Sequence, residues 1–327
     1  MGGLSHLEAA AVQTTTLVSY RRLRADCIGH CSAHRVAWQR LTGLGAAGAH
    51  FPNARFPKGV IPSRGSQFLA ALAHHLPGLS AVWKFVLPRA TRAAVAWKRR
   101  VPMSTRVPMP YLAAMAVAGL MIARGRRRMA ICIVLSFLCY LRPFEVMRLT
   151  GSCLIPPVAA SGTHLDSWGL LLNPSAAGAP GKTNLMDESV HVDLDQFLWP
   201  VLAALKVATP DASSLWDFSV VELRKEFAQC SELLELSALN PQLYSLRHGG
   251  ASHDLLAMRR PVAAVQRLGR WAAPSSMKRY AKETHLQAAL ARVPDWVLVY
   301  GGLVEAHFRR LLESSYSADV LRLMPGR

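Results

Sequence analysis

The segment YLAAMAVAGLMIARGRRRMAICIVLSFLCYL, residues 111–141, decides the fold class of this chain. It contains two apolar runs, Tyr111–Ala123 and Met129–Leu141, separated by a short stretch that holds four arginines. A membrane-spanning helix needs about 20 consecutive apolar residues. Both runs are shorter than that, so we predict that they form buried helices at the centre of a folded domain.

Length and composition favour a chain with two folded domains. The chain has 327 residues, of which 51% are hydrophobic and 18% are charged, so it can bury a sizeable core and is not a disordered tail. Its six cysteines are too sparse for a disulfide scaffold, which predicts reduced thiols in an intracellular protein. The stretch Met1–Leu17 lacks a basic start followed by an apolar run, so we expect no signal peptide.

The charge of the chain is strongly positive and unevenly distributed. Lys and Arg number 38 against 20 Asp and Glu, a net charge of +18. Between Asp26 and Glu145 there are 17 Lys or Arg residues and no acidic residue. Folded surfaces normally mix both signs, so this stretch predicts a polyanionic partner, namely nucleic acid or an anionic membrane surface. A solvated basic face or a compositionally biased genome remains the alternative.

The N-terminal third has a helical pattern with one interruption. Residues 43–66 are rich in glycine and proline and predict a loop. Helical periodicity resumes at Gln67–His75 and Ala90–Arg100, and Val101–Pro110 has the character of a linker. We therefore predict a basic helical domain over residues 1–104.

The remainder, residues 105–327, predicts a mostly helical domain with one small antiparallel sheet. Residues 165–172 and 189–193 have the pattern of two strands, with a turn-rich segment between them. The pattern is helical from there to the end and includes an amphipathic segment, Trp296–Leu312. The fold class is thus mainly α with a small β-sheet.

Two short stretches combine residues that bind anions or donate protons. Arg142 precedes Pro143, which suits the first position of a short helix over Phe144–Leu149, and Glu145 lies one turn further on. Helix N-termini favour anions, although an Arg beside a Glu is commonly a surface ion pair. Lys182 lies in the turn between the predicted strands, where a lysine is either simply solvated or a mobile proton donor.

Two further stretches lie closer to the C-terminus. In LYSLRHGGAS, residues 243–252, Ser245 is a plausible helix cap that would place Arg247 in the first turn. In LGRWAAPSSMKRYA, residues 268–281, Trp271 precedes Tyr280 by nine positions. A tyrosine in such a position is more commonly a half-buried core residue.

Taken together, the four stretches resemble the tyrosine recombinase (phage integrase) family, with a eukaryotic crypton-like mobile-element branch closest in character. The resemblance covers roughly residues 105–290 and rests on the order and spacing of the motifs. The family's catalytic positions correspond to Arg142, Lys182, Tyr244, Arg247, Trp271 and Tyr280, with Glu145, His248 and Arg270 in supporting positions. Tyr244 departs from the usual His or Lys, and Trp271 from the more frequent His.

The resemblance implies a core-binding domain followed by a catalytic domain that breaks and rejoins double-stranded DNA. Tyr280 would form a covalent 3′-phosphotyrosine, Arg142 and Arg247 would hold the phosphate oxygens, and Lys182 would protonate the leaving 5′ oxygen. Trp271 would pack against the phosphate and Arg270 would be a further phosphate contact. No cofactor or metal is implied.

The supporting residues and the assembly follow from the same resemblance. Tyr244 would contact the phosphate or support the nucleophile, and Glu145 and His248 would orient the arginines. A tetramer on DNA, without membrane contact, is expected through the terminal helix, unless that helix packs on its own domain. The protein would be intracellular and DNA-associated, and nuclear in a eukaryote.

Several alternatives stay open at this stage. Tyr300 and Tyr316 are other possible nucleophiles. Two functions compete with that of a recombinase: a DNA-binding protein that has lost turnover, and a relaxing enzyme similar to type IB topoisomerases. Metal-capable side chains at helical spacing also occur, and we interpret them as ordinary helix-face residues without metal: Cys27, His30, Cys31 and His34.

Overall fold

The computed structural model describes residues 12–37, 41–75, 87–101, 107–158, 166–175, 186–274, 277, 280 and 283–313. The chain divides into two compact units between Thr105 and Arg106, one residue beyond the boundary drawn from the sequence. The predicted proton donor Lys182 and the alternative nucleophile Tyr316 lie outside the described residues.

The described part of the first unit is helical. Its helices are α1 (Thr14–Ala33), α2 (Leu41–Arg55), α3 (Ser63–His75) and α4 (Pro88–Arg100). A separate core holds these helices together through buried residues that include Phe51, Phe68 and Leu87.

The predicted loop over residues 43–66 is wrong for most of its length. Helix α2 covers its first part and α3 begins inside it, with a short 3-10 turn, Phe56–Lys58, between them. Gly48 of α2 serves helix packing: a Cβ there would lie 2.9 Å from the Cβ of Ala90 in α4. Glycine is needed there because two helix backbones approach closely.

The cysteine and histidine side chains of α1 do not converge. Cys27 and Cys31 are buried in the core of the first unit. His30 instead hydrogen-bonds His50 of α2 through ring nitrogens 2.9 Å apart, and His34 stacks edge-on against His30. Burial raises the pKa of the Cys27 thiol to about 12, which is typical of a core cysteine.

The second unit is mainly helical and contains one small sheet. Its helices are α5 (Tyr111–Ala123), α6 (Arg127–Leu138), α7 (Pro143–Val146), α8 (Trp199–Ala208), α9 (Val220–Leu233), α10 (Leu243–Leu256), α11 (Val262–Leu268), α12 (Glu283–Leu290) and α13 (Asp295–Glu313). Its strands are β1 (Leu154–Ile155), β2 (Trp168–Leu172) and β3 (Glu188–Val192). The prediction of a mainly helical chain with a small antiparallel sheet is confirmed.

The two apolar runs form the central helices of this unit. Helix α5 has the predicted bounds, and nearly all of its residues are buried. Helix α6 begins two residues earlier than predicted and ends at Leu138. It ends there because Tyr140 adopts a left-handed conformation, with φ of 48°, which no α-helix continues.

The sheet is antiparallel in the order β1-β2-β3. Strands β2 and β3 agree with the predicted pair, and Leu170 faces Val190 across the ladder. Strand β1 was not predicted, because two residues are too short for a period of two to be visible. Alternating residues of β2 and β3 are buried, so one face of the sheet joins the core of the second unit.

The terminal helix α13 packs along α5 of its own unit. Its buried side chains include Val297, Val304 and Phe308, and Tyr111 of α5 donates a hydrogen bond to Glu305 at 2.7 Å. The helix therefore has one face packed on its own unit, while the expected tetramer stays a prediction. In the part of the chain that the structure describes, no helix is long and apolar enough to cross a bilayer.

Candidate functional site

A buried glutamate lies at the centre of the predicted site. Glu145 is on the short helix α7, for which Arg142 is the N-cap and Pro143 the first residue, as expected for proline. The Glu145 carboxylate accepts the Arg142 backbone N–H at 2.7 Å and also the Arg142 guanidinium. The helix ends at Val146, three residues earlier than predicted.

Arg247 reaches the same carboxylate from helix α10. The predicted cap is wrong: the helix begins at Leu243 after Gln242, and the Ser245 hydroxyl accepts the Gln242 N–H from inside the first turn. Arg247 therefore lies in the second turn, and its position depends on helix packing rather than on a helix terminus. That packing is close, since a Cβ on Gly250 would lie 1.9 Å from the backbone oxygen of Phe137 in α6.

The Arg247 side chain is fully buried, with 0% of its surface exposed. Its terminal nitrogens donate to the backbone oxygens of Tyr140 and Gly269, and Nη1 lies 3.9 Å from the Glu145 carboxylate. Burial, followed by repulsion from Arg142 and Arg270, lowers the pKa of Arg247 to about 10. The guanidinium therefore stays charged at neutral pH.

Arg270 is a third arginine on Glu145. Its Nη2 atom donates to the carboxylate at 2.6 Å and its Nη1 atom to the backbone oxygen of Leu268 at 2.9 Å. The residue has φ of 53°, a left-handed conformation that follows the end of α11. The sequence predicts that Arg270 contacts the phosphate, whereas in the structure its partners are Glu145 and the backbone oxygens of Leu268 and Tyr140.

The charges of this cluster do not balance. Three guanidinium groups surround one carboxylate, which leaves an excess of two positive charges among side chains that are at most 14% exposed. The Nε atoms of Arg247 and Arg270 find no acceptor among the described residues. Buried donors and charges are normally satisfied, so the cluster favours an anion with several acceptor oxygens.

Aromatic rings cover the arginines. Trp271 lies over the Arg247 guanidinium at 4.8 Å from the ring centroid, and the Tyr280 ring lies 4.5 Å from that of Trp271. The His248 ring stacks on Tyr280 at 5.3 Å and lies 5.1 Å from the ring of Tyr244. His248 was predicted to orient the arginines, whereas its described ring contacts are with the two tyrosines.

The structure thus brings together eight of the nine residues singled out in the sequence. The ninth, Lys182, lies outside the described residues. Tyr280 is 4% exposed. The other tyrosine considered as a nucleophile, Tyr300, is buried in α13 and lies against α5, where a Cβ on Gly119 would meet its hydroxyl at 2.8 Å.

Tyr140 and Asp254 support the site and were missed in the sequence. The Tyr140 hydroxyl donates to the buried Asp254 carboxylate, which also accepts from Arg259 at 3.1 Å and Arg260 at 2.9 Å. With its side chain held there, Tyr140 presents its backbone oxygen to Arg247. The neighbouring motif residues gave no signal of this, because a left-handed tyrosine and a contact across 114 residues have no local pattern.

An open groove of about 780 Å³ borders this cluster. It is lined by Glu188, Ala263, Gln266, Arg267, Arg270, Trp271 and Ala272. The groove gives a ligand access to the cluster from the side of Trp271 and Arg270.

Comparison with protein-family models gives no match, and comparison with curated proteins gives none either. Within the described ranges, no group of three or more His, Cys, Asp or Glu side chains is arranged to hold a metal ion. The interpretation of the site therefore depends on the geometry and chemistry of its own residues.

Proposed function

We propose that this chain is a DNA strand-transfer enzyme of the tyrosine recombinase type. The observation that carries the proposal is the convergence of three arginines on one buried glutamate, with two positive charges in excess and a tyrosine packed within the same cluster. A phosphodiester is an anion whose transfer needs stabilisation of charge on its non-bridging oxygens. Arginine suits this purpose because its donors match two phosphate oxygens at once.

In the proposed reaction, the Tyr280 hydroxyl gives up its proton to water as its oxygen attacks the phosphorus, and the bond from phosphorus to the 5′ oxygen breaks. The product is a 3′-phosphotyrosine, and the 5′ oxygen leaves with a proton that the family resemblance assigns to Lys182. Lys182 lies in sequence between β2 and β3, and Glu188 at the start of β3 lines the groove beside the arginines. Rejoining is the reverse reaction with another 5′-hydroxyl.

Access to Arg247 requires a rearrangement of the rings above it. Arg142 is the most exposed of the three guanidinium groups, with 14% of its side-chain surface accessible, and so would meet the phosphate first. Arg247 is covered by Trp271 and has its terminal nitrogens on backbone oxygens. We expect Trp271 and Tyr280 to move apart when DNA binds, since both lie in the path to Arg247.

The basic composition supports double-stranded DNA as the partner, because phosphate neutralisation by Lys and Arg is the main source of DNA affinity. A tetramer on DNA and a nuclear location in a eukaryote remain expectations from the family resemblance.

The test selects bound DNA from a random pool with the full chain, then offers nicked versions of the selected duplex. Wild-type protein is expected to give a covalent adduct on a denaturing gel, and Tyr280→Phe is expected to bind the duplex without forming it. Tyr300→Phe is the matched control: its hydroxyl is buried and has no hydrogen-bond partner among the described residues, so its removal leaves the adduct unchanged. An undiminished adduct in Tyr280→Phe excludes this nucleophile.

A DNA-binding protein without turnover is the second candidate, favoured by the full burial of Arg247. Binding of the selected duplex with no adduct from the wild-type protein would establish it. Relaxation of a supercoiled plasmid without pairing of two sites would instead indicate a relaxing enzyme similar to type IB topoisomerases.

A further inference from the structure

A second cation-rich site lies at the N-terminal end of helix α6. The turn between α5 and α6 and one face of α9 enclose a cavity of about 470 Å³. Five cationic side chains line it: Arg124, Arg126, Arg127, Arg128 and Lys225. Gly125 allows the turn to present them, since its φ of 76° is disfavoured for other residues.

Two of the acidic side chains that line the cavity accept hydrogen bonds. Glu226 accepts Nε of Arg124, and Glu222 accepts the backbone N–H of Ser219 at the start of α9, at 2.7 Å. Together with Asp217 there are three acidic groups against five cations, which leaves an excess of two positive charges. The cavity therefore favours an anion, as the cluster around Glu145 does.

The two cationic sites are too far apart to hold the same phosphate. The cavity lies at Arg127, where α6 begins, and the chain reaches Arg142 only after α6 has ended at Leu138. The helix has 12 residues and so spans about 18 Å at 1.5 Å per residue. A phosphate held at the Glu145 cluster therefore leaves the cavity free for a different phosphate.

We propose that this cavity binds backbone phosphates of the DNA duplex at positions other than the bond that Tyr280 attacks. This inference rests on the proposed function, since it takes the duplex at the Glu145 cluster as its reference point. The contact would hold the flanking duplex in register and read no bases, because phosphate contacts carry no sequence information directly.

The experiment measures equilibrium binding of the selected duplex as a function of salt, in a Tyr280→Phe background so that no adduct accumulates. The variant Arg126→Ala/Lys225→Ala removes two exposed cations from the cavity. The slope of log K on log salt is expected to fall in magnitude by about 2, which at 0.1 M salt is up to about 60-fold in affinity. Phosphate-ethylation interference at phosphates that flank the cleavage point should disappear in the same variant.

The matched control is Arg224→Ala/Arg292→Ala, which removes the same charge from exposed positions of the second unit outside the cavity. Arg224 adjoins Lys225 on α9, so the comparison isolates the cavity from the net charge of the protein. An unchanged far-ultraviolet circular dichroism spectrum and melting temperature show that both variants fold.

The outcomes separate this inference from the proposed function. Equal affinity and salt slope in the cavity and control variants overturn the cavity assignment and leave the proposed function standing. If the cavity variant loses binding of inorganic pyrophosphate but binds DNA as the wild type does, the assignment is also overturned, because the cavity would then bind a free phosphate compound. Absence of any DNA binding by the wild-type protein rejects both.

Discussion

Replacing Glu145 by glutamine removes the carboxylate that Arg142, Arg247 and Arg270 share, with little change in shape. The carboxylate is 2% exposed, so water compensates little for its loss. Breaking a buried ion pair by removing one partner costs about 3–5 kcal/mol. We expect about 3 kcal/mol, the lower end, because the glutamine oxygen still accepts one hydrogen bond.

That loss is measurable by thermal unfolding. For a domain of the size of the second unit, 1 kcal/mol lowers the melting temperature by about 2–4 °C, so Glu145→Gln should lower it by about 6–12 °C. The control is Glu226→Gln: this carboxylate is also buried but pairs with Arg124, whose side chain is 39% exposed. We expect a loss of about 1 kcal/mol there, because exposed ion pairs contribute little.

A second measurement tests the charge argument directly. Sulfate binds as an anion with several acceptor oxygens, so it should raise the melting temperature of Glu145→Gln more than that of the wild-type protein. A melting temperature for Glu145→Gln no lower than that of Glu226→Gln would refute the reasoning. So would equal stabilisation of the mutant and wild type by sulfate.

Two further predictions concern the support of the site. Gly250→Ala should destabilise the second unit by more than 2 kcal/mol, because a Cβ there would lie 1.9 Å from a backbone oxygen of α6. Gly302→Ala is the control: a Cβ there meets open space, so the change should stabilise the unit by about 0.5–1 kcal/mol. Urea unfolding measures both, and equal effects would contradict the packing argument. Burial lowers the pKa of His253 in the folded protein, so the unfolded chain binds more protons and stability falls as the pH drops below about 6.5. His253→Gln should flatten that fall in a series of melting temperatures between pH 7 and pH 5. An equally steep fall in the variant would contradict this assignment.

The local elements of this fold follow from sequence pattern where the pattern is long. Helix α5 has the predicted bounds because its apolar run is unbroken and is buried along nearly its whole length. The prediction of a loop over residues 43–66 is wrong because a glycine that allows close helix packing cannot be told from a loop glycine by composition. The difference between the two lies in the partner helix, which the local sequence does not contain.

Eight of the residues singled out in the sequence lie together in the structure, but their arrangement could not be predicted. The pairing of Arg142 with Glu145 follows from their spacing of three residues. That Arg270 turns to the same carboxylate depends on a left-handed backbone at its own position. The support from Asp254 depends on a contact between distant parts of the chain, so neither arrangement has a local signature.

The sharing of Glu145 has a consequence for how this protein tolerates mutation. The three guanidinium groups contact the same carboxylate, so the loss of one arginine changes the contacts that the other two make with it. Effects of single replacements in this quartet will therefore not sum to the effect of combined ones. Over evolutionary time the four positions should therefore covary or stay fixed together.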